Sequence, residues 1–308
     1  MPPKKKAEEV FDFAAMAAEE DNRTAGAVLD TKLERGVAAK PAITTNGGFL
    51  PTARRKSSLF VDRTVKEIRR KMDAWSYSRY KDWVTCPYKC YLKHVMKIRE
   101  PGSPAMDRGN HAHKVAEDFL LGKITWDEAQ ALALESGDKK RFGPKAKAIS
   151  LTNLRKDFEL AAKSSPIVEE QWGFMSDWSE TGWFGPGTWL RVKLDLCYQT
   201  KKTKMLVVDF KTGQKYADHS EQADLYALSA FIKFPHIREI DVQYWYLDLG
   251  EKTFAKFTRA EMQPLIDRWV QKTSPMMNDT IYPCRPGPYC RWCFHSKYFA
   301  GGSGKCEN

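Results

Sequence analysis

The chain has 308 residues, and its 50 Lys and Arg against 39 Asp and Glu leave a net charge of +11. That length, with 42% hydrophobic residues, supplies a core for one large domain or two small ones. There is no run of about 18 apolar residues to span a membrane. The basic start MPPKKK has no apolar segment behind it, which argues against secretion and for a cytoplasmic protein. Seven cysteines in such a chain suggest metal ligation before disulfides, and the basic balance favours a polyanionic partner.

Residues 1–60 carry ten basic and eight acidic residues and no sustained apolar period, so they read as a flexible arm. A short helix is expected over Val10–Ala18. The folded part is expected to begin at 61 and run to 308. Helices are predicted over Arg63–Met72, from Ser76 or Ser78 as a cap, over Pro104–Leu121, Thr125–Glu135 and Pro144–Lys163. The period then becomes two, giving strands at Ile167–Phe174, Trp189–Cys197 and Lys204–Lys211. A helix over Ser220–Lys233, strands at Glu239–Tyr246 and Lys252–Thr258, and a helix over Glu261–Thr273 complete the pattern. From Pro275 onward the sequence is irregular and rich in Pro, Gly and Cys. This order predicts an α/β fold, a mixed sheet flanked by helices with a Cys-rich C-terminal region at 275–308.

The chemistry centres on two strands. In WLRVKLDLC, strict alternation puts Leu190, Val192, Leu194 and Leu196 on one face and Arg191, Lys193 and Asp195 on the other. In MLVVDFK, Asp209 and Lys211 share a face at the strand end. If a turn at Gln199–Thr203 makes these strands neighbours, Asp195, Asp209 and Lys211 converge. Two carboxylates there suit Mg²⁺ or Mn²⁺, and the lysine suits a scissile phosphate. Taken alone, a D-x-K at a strand end is commonly a surface ion pair.

Two helices add to the set. Gly109, His113 and Glu117 stack at i, i+4 spacing; His113 offers an imidazole to the same metal, and Glu117 supports it from behind or through a water. The glycine allows close approach of another backbone, and His111 is expected to face solvent. Gln222 and Tyr226 form a similar stripe that is able to hold phosphate or stack on a base. At the C-terminus, Cys290-x2-Cys293 and Cys306 make a thiolate trio that Cys86 could complete, holding a [4Fe–4S] cluster or Zn²⁺. Cys197 is expected to be merely buried, and Cys90 and Cys284 to stand outside the ligand set.

In order, SYSRYKDWVTCP, GNHAHKVAE, KLD, DFK, QADLY and CRWC make the chain resemble the PD-(D/E)XK nuclease superfamily, in particular its RecB-type branch with Cas4-like and phage-encoded exonucleases. The resemblance implies a restriction-endonuclease-like core in which His113, Asp195 and Asp209 ligate Mg²⁺ or Mn²⁺ and Lys211 is the catalytic lysine. It makes Gln222 and Tyr226 the pair lining a DNA channel. Cys86, Cys290, Cys293 and Cys306 would hold [4Fe–4S], although the gap between the last two is long for the family. The expected activity is metal-dependent hydrolysis of DNA, as an exonuclease working beside recombination or replication proteins. The alternatives are a catalytically silent DNA-binding module and a zinc-ribbon interaction protein.

Overall fold

Six strands pair in the order β2-β1-β3-β4-β5-β6 in the computed structural model, which describes residues 68–215 and 219–307, without the side chains of residues 219–220. The strands are β1 (Ile167–Phe174), β2 (Glu180–Thr181), β3 (Leu190–Lys201), β4 (Lys204–Lys211), β5 (Glu239–Tyr246) and β6 (Glu251–Thr258). All pairings are antiparallel except β4 with β5, which is parallel. A parallel pair needs a crossover, and the helix predicted between these strands supplies it. The fold is therefore the expected mixed α/β sheet flanked by helices. The 1–60 arm, its short helix and the first residues of the 63–72 segment lie outside the described residues.

The helices are α1 (Tyr77–Thr85), α2 (Pro87–Cys90), α3 (Pro104–Leu120), α4 (Trp126–Leu134), α5 (Lys139–Phe142), α6 (Arg155–Ala162), α7 (His219–Lys233) and α8 (Met262–Met277). Ser76 caps α1, its hydroxyl accepting from the Arg79 N–H at 3.5 Å. Ser103 and Pro104 open α3, and Thr125 with Glu128 closes a capping box on α4. Three expectations are corrected. Residues 68–72 are not helical. The 144–163 helix shrinks to α6 preceded by a short 3₁₀ turn, because Ile149 and Leu151 bury out of helical register. The last helix runs through Pro275, which removes one hydrogen bond without ending it.

Two apolar clusters sandwich the sheet. One joins α7, α8 and α1 to a face carrying Val192, Leu194, Val207, Val242 and Tyr244. The other joins α3, α4 and α6 to Leu196, Val208, Phe210 and Trp245. The fully buried Trp75, Trp245 and Trp269 anchor these layers, each worth at least the roughly 1.5–3 kcal/mol of a buried large side chain.

Candidate active site

Strand register gathers the carboxylates. β1 pairs Val168 with Leu196 and Glu170 with Leu194, which sets Glu169 opposite Asp195. β3 pairs Leu196 with Val208, so the next step sets Asp195 opposite Asp209. Asp209 in turn pairs with Tyr244 of β5. Glu169, Asp195 and Asp209 thus share one row across three adjacent strands, where directly opposed side chains lie about 5 Å apart.

At this row the strands break their alternation. Leu194 packs with the α7 face and Leu196 with the α3 face, so the expected single apolar face of β3 is corrected at Asp195. Glu169 has φ +55°, a left-handed conformation uncommon for a side chain of this size. Such strain costs about 1–3 kcal/mol and is kept where surroundings enforce it. The Asp195 Oδ2 accepts the Phe210 N–H at 2.7 Å, so a side chain replaces a ladder bond. The strands also join through a tighter turn than expected, since β3 runs on to Lys201 and β4 starts at Lys204.

α3 delivers the imidazole. His113 Nδ1 lies 3.4 Å from Asp195 Oδ1. His113, Glu169 and Asp195 each offer one donor atom, and the three atoms lie within 4.8 Å of one another. Oxygen donors with one imidazole match a hard divalent cation such as Mg²⁺ or Mn²⁺. The helix is held in place by Arg108, whose guanidinium donates to the Asp248 carboxylate, which also accepts the Gly213 N–H from the turn after β4. A Cβ at Gly109 would stand 3.3 Å from Thr212 Oγ1, so the expected close approach is to that turn's side chain.

Burial works to lower the His113 pKa, but its hydrogen bond to Asp195 and the charges of Asp195, Asp209 and Glu169 outweigh burial and raise it. In the metal-free protein this favours imidazolium, and the stability it adds is full below the unfolded pKa and lost as pH rises through the folded one. An imidazole must be neutral to ligate a metal. Apparent Mn²⁺ affinity, measured by titration at stepped pH, will therefore fall as pH drops through that raised pKa, by up to about tenfold per unit for one displaced proton.

A second group continues from Asp209. Tyr226 donates to Asp209 Oδ1 at 2.5 Å, and Gln222 Nε2 donates to the Tyr226 oxygen at 2.8 Å. Lys211 Nζ sits 2.6 Å from Asp209 Oδ2 and donates to Gln222 Oε1 at 3.2 Å. The crossover explains this convergence: β4 ends at Lys211, and the first turns of α7 return over that end with Gln222 and Tyr226 one turn apart. Burial raises the Asp209 carboxyl above its usual range, with Lys211 pulling it down and the Asp195 charge adding to the rise. Burial and the Asp209 charge push the Tyr226 phenol well up, so it stays a neutral donor. An acid so buried beside another acid is better satisfied by added positive charge.

Two predicted positions differ. Glu117 is engaged by Lys114 at 3.0 Å and Lys123 at 3.6 Å, forming a charge cluster with Asp118 on the outer side of α3 rather than a contact to His113. His111 is half-buried, with its ring 2.9 Å from the Leu132 carbonyl and against Phe142, not solvent-facing. Glu169 was missed. The signal for it is the acidic pair Glu169-Glu170 within an otherwise strand-like run.

A family model described as the PD-(D/E)XK nuclease superfamily matches residues 74–298, a span that contains every residue of this row, together with Lys211, Gln222 and Tyr226. The chain belongs to the PD-(D/E)XK nuclease superfamily. Its helix-flanked mixed sheet is consistent with the restriction-endonuclease-like core of that superfamily, whose members are metal-dependent nucleases. Among curated proteins no relative matches. A solved structure described as "Crystal structure of SSO0001" aligns at 12% identity over 71% of this chain and 92% of that chain, with a TM-score of 0.28, too low to carry an argument.

This nuclease-superfamily chain has a second constellation, built from the end of α1 and the C-terminal region. Cys86, Cys284, Cys290, Cys293 and Cys306 line one cavity of about 170 Å³, with the buried His295 beside them. Cys86 follows α1 directly, and the cavity is lined from both this end of the chain and the C-terminal region. Cys284 also belongs to the group: its Sγ lies 3.4 Å from that of Cys306. Burial raises the Cys293 thiol and pushes those of Cys90 and Cys197 up to about 12. The last two are inert core thiols.

Proposed function

We propose that the chain is a divalent-metal-dependent deoxyribonuclease that works as an exonuclease on DNA ends or single strands during recombination, replication or repair, in the cytoplasm. The observation that carries this reading is the abutment of the His113–Glu169–Asp195 donor group on the Asp209–Lys211 pair along one sheet row. Bound there, Mg²⁺ or Mn²⁺ would neutralise phosphate charge and make an attacking water more acidic. His113, Glu169 and Asp195 hold the cation, and Asp209 completes its oxygen set from the neighbouring strand. Lys211 stabilises charge developing on the scissile phosphate, while Gln222 and Tyr226 fix Lys211 and Asp209 at their working positions.

The C-terminal cysteines extend this reading to the RecB-type, Cas4-like branch. Around one zinc, four thiolates with bonds of about 2.3 Å would stand under 4 Å apart. Cys284 and Cys306 stand 3.4 Å apart, within that spacing, and a cavity of about 170 Å³ ringed by five cysteines also suits a multi-atom [4Fe–4S] cluster on four of them, with Cys86, Cys290, Cys293 and Cys306 the set drawn from the sequence. The cluster would pin α1 to the C-terminal region, which makes residues 275–308 part of the nuclease domain.

Incubation of the purified chain with end-labelled linear DNA tests the central reading. Degradation is expected with Mn²⁺ or Mg²⁺ and none with EDTA. Intact DNA under both metals would reject it in favour of a silent DNA-binding module.

A further inference from the structure

β1 and β3 continue past the Glu169–Asp195 row for roughly 16 Å, pairing as far as Phe174 with Leu190, and β2 folds back onto β1 there. Arg191 and Lys193 alternate with the buried Leu190, Val192 and Leu194, so they point away from the α7 cluster. Lys193 ion-pairs with Glu169, which places this strip on the side carrying the donor group. At its far end the Gly182–Thr188 loop presents Trp183 and Phe184. Phe184 is 83% exposed, a large apolar ring standing mostly in water.

The loop is nonetheless tightly held. The Thr188 hydroxyl lies 2.9 Å from the Gly182 carbonyl and 2.7 Å from that of Gly185, and the Gly185 N–H donates to Gly182 at 3.0 Å. A Cβ at Gly173 would come 2.5 Å from the Gly182 carbonyl, so the loop closes only over glycine. Arg191 donates to the Trp183 carbonyl at 2.8 Å, and its guanidinium carbon sits 5.1 Å from the Phe184 ring centre and 5.8 Å from that of Trp183. An exposed ring with cations interleaved between it and a phosphate-cleaving row matches one chemistry: a base to stack and a backbone to neutralise. A base inside a duplex has no free face to offer, so the occupant is unpaired.

We propose that Phe184, propped by Arg191, stacks an unpaired base of the DNA strand, while Arg191 and Lys193 hold the phosphates leading to the Glu169–Asp195–Asp209 row. This deepens the nuclease reading and rests on it for the direction of the strand. The test is fluorescence anisotropy of the full chain in EDTA with a labelled oligothymidylate and with a blunt duplex. Phe184→Ala, a change at an exposed ring, is expected to weaken oligothymidylate binding about tenfold and leave the duplex unchanged, with Phe184→Trp restoring the wild-type value. Unchanged oligothymidylate binding by Phe184→Ala, or an equal loss on both DNAs, overturns the proposal. If the loss is selective but the wild type cleaves nothing with Mn²⁺, the stacking site stands and the nuclease reading falls. If the wild type cleaves and Phe184→Ala binds normally, the reverse holds.

Discussion

Asp195→Asn and Asp209→Asn will each lower the rate of DNA cleavage with Mn²⁺ by about a thousandfold or more, measured in single turnover on labelled linear DNA. Each change keeps the side chain's volume and removes a charge from the row that receives the cation. The Asn variants also separate chemistry from folding. Burial raises the Asp209 carboxyl, so its protonated form is the one folding favours, and that contribution is lost as pH rises through the folded pKa. Above that folded pKa the ionised acid is a burden on the metal-free fold. The metal-free melting temperature of Asp209→Asn should therefore stay level or rise while cleavage disappears. Affinity for DNA in EDTA should stay close to wild type, because that binding rests on surface cations. Cleavage at a normal rate by either folded variant would remove both carboxylates from the chemistry.

Lys211→Met will cut the cleavage rate by about a hundred- to a thousandfold without weakening Mn²⁺ binding. Nζ stands 2.6 Å from Asp209 Oδ2, where it balances the acid in the metal-free protein. Removing it leaves Asp209 more available to a cation, so the Mn²⁺ dissociation constant should hold or fall. A merely structural lysine would give the opposite pattern, with stability and metal affinity dropping together. Single-turnover rates beside a Mn²⁺ titration of the same preparation read both quantities.

Much of the site was legible because it follows from periods of two and 3.6. The Asp209–Lys211 pair, the Gln222–Tyr226 stripe and the placement of His113 on α3 each need only regular geometry, and the structure keeps that geometry at those residues. Glu169 and the face of Leu196 were not legible because both depend on a local break in alternation. The break is set by a left-handed residue and by the Asp195 side chain taking the Phe210 N–H, contacts between strands that no single-strand pattern encodes. His111 and Glu117 show a related limit. Spacing on a helix says which residues share a face, but not which neighbour takes each one: the Leu132 carbonyl meets His111 from another helix, and Lys114 on the same helix engages Glu117. Cys284 lies beside Cys306 through the packing of an irregular segment, which carries no period at all.

The most direct test of the metal row is calorimetric titration of Mn²⁺ into the full chain, comparing wild type with Asp195→Asn at neutral pH. Saturable binding by the wild type, lost or greatly weakened in the variant while its fold is retained, is the predicted result. Equal Mn²⁺ affinity in the two proteins would mean that the cation, if bound at all, sits somewhere other than between His113, Glu169 and Asp195.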